Sequence, residues 1–373
     1  MEIFLQINTP GQTKPLSTRH VIFNVVSTMA LIEFTNKGLY CAAGDFYIDP
    51  WMAVDKAIIT HAHSDHARWG SKSYLCHTAS LPILKLRLGD IMADAIEWNK
   101  QINMNGVKIS LHPAGHIIGS SQIRIENNNE VWVVSGDYKT EDDGISGLFE
   151  PVKCNVFISE STFGLPIYHW KPQREIFNTI REWISTNKEA GKTSVLIAYS
   201  LGKAQRVMQC IKEMDIKIFL HGAIWNVHQT LLEAGYDLPD AERVNPDTPK
   251  ENFKGNVVIA PPSADGTPWM KRFSPYSVGV CSGWMQVRGN VRRRNADAGF
   301  ALSDHADWKG LLDAVKATEA EKVFVTHGFQ AAFSRYLNDN GISAAEVKTE
   351  YGGEEEEQEK ASTTPEQEKA DDR

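Results

Sequence analysis

ITHAHSDHARWG, residues Ile59–Gly70, places His61, His63, Asp65 and His66 within six positions, directly after a short apolar run. In an extended segment, residues two apart point the same way, so His61 and His63 share a face. Asp65 and His66 follow where the chain turns. Such a loop offers two imidazoles to one cation and an Asp–His pair to a second. Imidazole and carboxylate suit zinc and similar divalent ions. The bland alternative is a solvated, histidine-rich loop. What separates the two readings is whether further ligands exist, because a zinc ion takes three or four protein ligands and two adjacent ions need more.

The remaining ligands are sought where other apolar runs stop at polar residues, since strand ends are where a rigid scaffold displays reactive groups. Four more stretches have this form: HPAGHIIGS with His112 and His116, VVSGDYK with Asp137, ALSDHADW with Asp304, His305 and Asp307, and VFVTHG with His327. His116, Asp137 and His327 would complete the set. Asp137 is the natural bridge, because a carboxylate has two oxygens for two cations. His112 is read as a packing or supporting residue. His20, His77, His169, His221 and His228 have no comparable context and are read as structural or solvated.

The chain has 373 residues, which suggests two domains or one large domain with an insertion. Its 42% hydrophobic and 23% charged residues are ordinary for a soluble globular protein. No apolar run reaches the length of a membrane span, and the first residues lack the pattern of a signal peptide, so a cytoplasmic protein is expected. The five cysteines are scattered without CxxC spacing, which argues against a disulfide scaffold and a cysteine-based zinc site. Net charge is −8, but residues from Glu354 onward hold nine acids against three bases, a share of −6 that leaves −2 for the rest. Overall charge neither marks nor excludes a nucleic-acid binder.

Along the chain, alternating runs to about residue 164 read as strands, and ENNNE between two of them signals a hairpin. Thereafter REIFNTIREWISTNKEAG has helical periodicity, and TSVLIAYSLGKAQRVMQCIKEM and IKIFLHGAIWNVHQTLLEAG each read strand then helix. A small α/β unit with parallel strands is therefore expected over residues 165–290. It would interrupt a larger domain made of residues 1–164 and 291–349. Residues 350–373 are acidic and nearly devoid of apolar side chains, as in a disordered tail.

With these motifs in this order, the chain resembles the metallo-β-lactamase superfamily, and within it the nucleases with an inserted domain, the β-CASP branch. The likeness covers roughly residues 20–340. It rests on an early aspartate (Asp49 in FYIDPW, with Asp45 in AAGDF as second choice), HxHxDH, then His116, Asp137 and His327. The branch adds an acid that fits Glu160 in ISESTFG and a histidine that fits His305 in LSDHADW. The implied fold is α/β, an αβ/βα sandwich with an inserted α/β β-CASP domain. AGDFYIDPW, ITHAHSDHARWG and CSGWM look most like the bacterial ligase-associated DNA exonucleases. The resemblance then implies DNA as substrate, single-stranded or with a 5′-phosphorylated end, and an ATP-dependent DNA ligase and a helicase as partners in repair.

It also implies two divalent metals, zinc first and manganese as the alternative. One would sit among His61, His63, His116 and Asp137, the other among Asp65, His66, Asp137 and His327. A metal pair of this kind activates water and clamps a phosphodiester. Asp49 would support a ligating imidazole or the water, unless it is only a turn former before Pro50 and Trp51. His305, oriented by Glu160, would stabilise the phosphoryl oxygen or protonate the leaving group. SDHADW also reads as a helix start, capped by Ser303 or Asp304 with the helix beginning near Ala306.

For the substrate, YSLGKAQR is a strand–glycine turn–helix, and Ser200, Lys203 and Gln205 are candidates for a phosphate at the helix N-terminus. An ordinary turn with an exposed lysine fits equally. Arg288, Arg292 and Arg293, with Arg294, form a cluster able to contact a phosphate backbone, or a solvated loop. Trp308, like Trp284, can stack a base or be buried. Three rival functions stand beside the DNA exonuclease. RNA-processing members of the branch keep the last histidine, as this chain does, so an RNA nuclease is the first. A hydrolase of small thioesters or lactams needs neither the insertion nor the Glu160–His305 pair. A metal-free scaffold would not need the intact ligand set.

Overall fold

The computed structural model describes residues 30–287, 289 and 296–351. The chain from Leu31 onward forms one compact unit, to which everything below refers. Its first sheet is built in chain order from β1 (Glu33–Phe34), β2 (Leu39–Cys41), β3 (Phe46–Ile48), β4 (Lys56–Ile58), β5 (Ser73–His77) and β6 (Ala93–Ile96). The first three strands pair antiparallel, and from β3 onward the pairing is parallel.

The second sheet begins with β7 (Gln101–Met104), β8 (Val107–Pro113), β9 (Ser121–Asn127), β10 (Glu130–Val134) and β11 (Val156–Ser161). The ENNNE turn closes β9 on β10, with Asn127 opposite Glu130. Asn128 and Asn129 sit at φ 50° and 67°, the left-handed pair that a tight hairpin requires and asparagine tolerates.

Between β11 and the end of this sheet comes a third, all-parallel sheet. It is made of β12 (Thr193–Ile197), β13 (Ile218–Leu220), β14 (Glu242–Arg243), β15 (Val257–Ala260), β16 (Tyr276–Cys281) and β17 (Ala298–Phe300), in spatial order β14-β13-β15-β12-β16-β17. β17 lies past residue 290, where the sequence alone placed the return to the larger domain. The second sheet is then completed by β18 (Lys322–Gly328), parallel to β11, and β19 (Ser343–Glu346).

The first two sheets face each other across a core that joins Leu39, Phe46, Ile48, Ile58 and Leu75 to Ile109, Leu111, Ile123, Ile125 and Trp132. Helices cover their outer faces. α1 (Leu81–Leu88) packs with Ala57, Tyr74 and Cys76 of the first sheet. Three more helices belong to the inserted stretch: α2 (Gln173–Glu189), α3 (Lys203–Ile211) and α4 (Gly222–Glu233). α2 docks by Ile176, Ile180 and Ile184, one stripe at four-residue spacing, onto the third sheet. α5 (Trp308–Thr318) and α6 (Gln330–Asp339) cover the second sheet through Leu311, Val315, Phe333 and Leu337. This is the expected α/β sandwich carrying an inserted α/β unit.

The topology decides where the site falls. β10, β11 and β18 are mutually parallel, and β8 runs the same way because β9 reverses between β8 and β10. Their C-terminal ends therefore share one edge of the sheet, the edge that carries His116, Asp137, Glu160 and His327.

Candidate metal centre

The loop after β4 brings His61, His63, Asp65 and His66 to that edge. Ligand atoms of His61, His63, His116 and Asp137 lie within 4.8 Å of one another, as do those of His66, Asp137 and His327, and those of His61, Asp65 and His66. Asp137 divides its oxygens between the two groups. Oδ2 faces His61 Nε2 at 3.6 Å and His116 Nε2 at 3.7 Å, whereas Oδ1 faces His66 Nε2 at 3.6 Å and His327 Nε2 at 2.9 Å. His63 Nδ1 comes within 3.1 Å of His116 Nε2, and Asp65 Oδ2 within 3.7 Å of His66 Nε2. All seven candidate ligands thus lie in overlapping groups at one centre, with Asp65 grouped with His61 and His66 rather than with Asp137 and His327.

The donors fit divalent cations. Nε2 of His61 and of His66 are buried and have no hydrogen-bond partner among the described residues. Buried nitrogens of this kind call for a partner. Burial, reinforced by neighbouring imidazoles, holds His61 and His116 well below the usual histidine range, so both present neutral rings. At His66 burial acts in the same direction, but Asp65, Asp137 and Asp49 outweigh it and hold the group up at about 10. Burial opposes the charge on Asp137, yet His327 and His66 keep its carboxyl well below the usual range. The pocket therefore holds carboxylates whose charge must be matched by protons or by a cation.

Each imidazole is oriented through its other nitrogen. Asp49 Oδ2 accepts from His66 Nδ1 at 2.7 Å, and the same carboxylate accepts from the Thr60 amide and hydroxyl. Thr60 Oγ1, its proton given to Asp49, can then accept from His61 Nδ1 at 3.0 Å. Asp49 itself stands at φ 42°, an unusual conformation that turns its carboxylate inward from the end of β3. This places its carboxylate against the ring of His66, a candidate ligand. Asp45, the second choice, is exposed and paired with Lys56.

Glu160 sits where β11 shifts register against β18, an irregularity that re-aims a side chain. His305 Nδ1 lies 3.0 Å from both Glu160 oxygens, which also accept from the amides of Tyr138 and Thr162. Asp137, Glu160 and His305 form a further group within 4.8 Å. Both Glu160 oxygens therefore already accept hydrogen bonds, and the pair stands beside the cluster.

The other candidate residues are placed as follows. Gln205 is fully buried, its amide used by the Gly202 amide and the Ser200 carbonyl, so it builds the turn. Lys203 is buried beside Asp304 and over the Tyr199 ring, not exposed to a phosphate. Trp308 is packed against Phe333 and Tyr336, and Trp284 against Phe163, so both are core residues. The helix after SDHADW is capped by Asp307, whose Oδ1 accepts from the Gly310 amide, and it begins at Trp308 rather than Ala306. Ser303 instead fixes the preceding turn by accepting from the His305 amide. His112 bonds Ser110 and stays out of the cluster. Arg288, Arg292, Arg293 and Arg294, and the tail from residue 352, lie outside the described residues.

Ser200 does line a cleft of about 500 Å³ beside His63, with Ser64, Arg87, Tyr199 and Asn226. Three functional residues escaped the sequence reading. Thr60 was adjacent to the motif and so within reach. Tyr351 stacks on His66 with ring centres 4.5 Å apart and donates to the Asp49 carbonyl, but nothing near it in the sequence signals this. Arg206 lay inside the noted turn–helix stretch, as its last residue, and was given no role there.

No known protein-family profile matches the chain. It is 28% identical over 84% of its length to a "Probable DNA ligase" of Opitutus terrae. It is 24% identical over 63% of its length to "RNase aCSPSF2" of Saccharolobus solfataricus. The chain spans 30% of the first relative and 55% of the second. Further relatives are named "Endoribonuclease YSH1", in several fungi, and "RNase J-like protein", in Methanocaldococcus jannaschii. A crystal structure of a protein of unknown function from Enterococcus faecalis shares the fold, with a TM-score of 0.56 at 12% identity over 80% of each chain. The relatives support the metallo-β-lactamase/β-CASP family, and the fold is the metallo-β-lactamase sandwich with a β-CASP insertion.

Proposed function

We propose that the chain is a two-metal phosphodiesterase, a nuclease acting as an exonuclease on single-stranded or 5′-phosphorylated DNA ends in repair. The observation that carries this reading is Asp137, one oxygen toward His61 and His116 and the other toward His66 and His327, with the Glu160–His305 pair alongside. His61, His63, His116 and Asp137 would hold one ion, and Asp65, His66, Asp137 and His327 the other, zinc first. Bound there, the ions supply an activated water and offset charge on the phosphoryl oxygens.

The chain's own residues do the rest. Asp49, through Thr60 and His66, keeps two rings in register. Glu160 holds and orients His305 by Nδ1, which suits a role for the ring at a phosphoryl or leaving oxygen. The cleft beside His63 offers Arg87, Tyr199, Ser200 and Asn226 to a strand. The relative named DNA ligase, matched over 84% of this chain, supports DNA as substrate and a DNA ligase as functional partner; that the ligase is ATP-dependent and that a helicase joins it is part of the proposal. A second reading, an RNA-processing nuclease, is favoured by the relatives named RNase and endoribonuclease and by His327 within the cluster.

The test gives zinc- or manganese-loaded protein matched DNA and RNA strands, labelled at either end, with and without a 5′ phosphate. Stepwise release from DNA 5′ ends is the expected result. Cleavage of RNA alone would establish the second reading, and cleavage of neither polymer would overturn both. His305→Ala should keep both ions and lose about 10²–10⁴-fold in turnover, the usual share of an acid–base group.

A further inference from the structure

The two sets of ligands are supported from different parts of the molecule. In the second set, His66 is held by Asp49, and Thr326 Oγ1 lies 3.3 Å from His327 Nδ1, all within the two-sheet sandwich. In the first set only His61 is held there, by Thr60. His63 donates through Nε2 to the carbonyl of Leu201 at 3.2 Å, which leaves Nδ1 facing the cluster. His116 donates through Nδ1 to the carbonyl of Asp304 at 2.8 Å, which leaves Nε2 facing it. Leu201 belongs to the turn between β12 and α3, and Asp304 to the segment after β17. Both follow strands of the inserted sheet.

A buried charged group ties these two segments together. Arg206 of α3 is 1% exposed. Its Nη1 donates to the Ser303 carbonyl at 2.6 Å and to Asp304 Oδ1, and its Nη2 donates to Gln173 Oε1 of α2. Lys203 Nζ stands 3.5 Å from Asp304 Oδ2. The turn also touches the His116 loop directly. Gly202 adopts φ +91°, and a Cβ there would come within 2.4 Å of Ile117 Cγ2. The insertion is thus seated on the loop that presents His116, and its backbone carbonyls set the ring orientation of two of the first set's three imidazoles.

We propose that the inserted unit controls occupancy of the first cation position selectively, with Arg206 as a positioning residue that holds the Asp304 carbonyl on His116 and keeps the α3 turn on His63. A shift of α3, such as a strand entering the cleft beside Ser200 would produce, then alters affinity for a divalent cation among His61, His63, His116 and Asp137 while leaving the other position filled. This inference rests on the two-cation reading of the cluster.

The experiment measures zinc stoichiometry and stepwise affinity by competition with a chromophoric chelator, alongside denaturant unfolding to show that each variant folds. The wild-type chain should take two ions. Arg206→Ala should keep one tight ion and weaken the other by about 10–100-fold, the usual effect of losing an orienting partner, with recovery when guanidinium is added. Asp304→Asn is nearly isosteric and keeps the carbonyl that His116 needs, so it folds even if Arg206→Ala does not. It should weaken the same position by a smaller factor. Asp49→Asn should weaken the other position more than the first, because Asp49 holds His66 directly and reaches His61 only through Thr60. Equal weakening of both positions, or no change in Asp304→Asn and Arg206→Ala, would overturn the inference. A wild-type chain that binds no zinc would instead overturn the two-cation reading itself.

Discussion

At the scale of single residues, the centre depends on side chains that never touch a cation position directly. Asp49 accepts three hydrogen bonds while buried, one from His66 and two from Thr60, the threonine beneath His61. Replacing it by Asn keeps the shape and tolerates the left-handed backbone, but puts an amide where a second acceptor oxygen stood. Asp49→Asn should therefore fold and lose about 10–100-fold in metal affinity, checked by titration against a competing chelator; unchanged affinity would show Asp49 to be a turn former only. Tyr351 separates ring from hydroxyl in the same way. Its ring lies nearly parallel to His66 at 13°, and burial, followed by the nearby Asp49, Asp65 and Asp137, pushes its phenol well above the usual range. Tyr351→Phe keeps the stack and should cost about 1 kcal/mol for the lost hydrogen bond. Tyr351→Ala should cost about 3–5 kcal/mol, as for other buried aromatics, and lower metal loading as well. Denaturant unfolding and metal analysis of the two variants test this directly.

At the scale of elements, the segment from Phe300 to α5 shows how one short stretch serves both fold and site. Asp307 caps α5 with Oδ1 on the Gly310 amide, and its Oδ2 accepts from the Trp170 amide, while two residues earlier His305 reaches Glu160. Asp307→Ala should cost about 1–2 kcal/mol from the cap and leave a second amide short of a partner. It should also loosen His305, so turnover should fall more than metal content does. A loss of stability with unchanged turnover would separate cap from site. The element also explains why sequence reasoning misplaced the cap. Ser303, Asp304 and Asp307 are all good capping residues within one turn, and local preference cannot rank them. The decision came from tertiary structure, because Arg206 had already claimed Asp304 and the His305 amide had claimed Ser303. The same logic applies to α1, whose LPILKLRL has apolar residues on several sides and no clean stripe; Ile83, Leu84 and Leu88 are nonetheless buried against the first sheet and α4.

At the scale of the whole molecule, the candidate ligands were legible in sequence because each stands at a strand end, where an apolar run stops at a residue of obvious chemistry. The alternation of ITHAHSDH, the single aspartate of SGDYK and the histidine of VTHG carry that signal locally. What stayed illegible was set by contacts between segments far apart in the chain, including Tyr351 on His66, Leu201 on His63 and Arg206 on Asp304. The same long-range assembly has a thermodynamic consequence. The loop after β4 leaves the first sheet, whereas His116, Asp137 and His327 come from the second, so each cation position joins the two halves of the sandwich. An ion bound only by the folded arrangement stabilises it by mass action, about 2.7 kcal/mol at a free concentration 100 times its Kd. Deprived of cations, the same folded chain must match its buried carboxylates with protons on His66 and His327. Dialysis against a chelator should therefore lower the unfolding temperature, and added zinc should raise it again in proportion to the logarithm of its free concentration. Asp137→Asn, which weakens both positions at once, should flatten that dependence to near zero. An unfolding temperature that ignores zinc in the wild-type chain would mean that the cluster does not bind cations strongly enough to join the sheets.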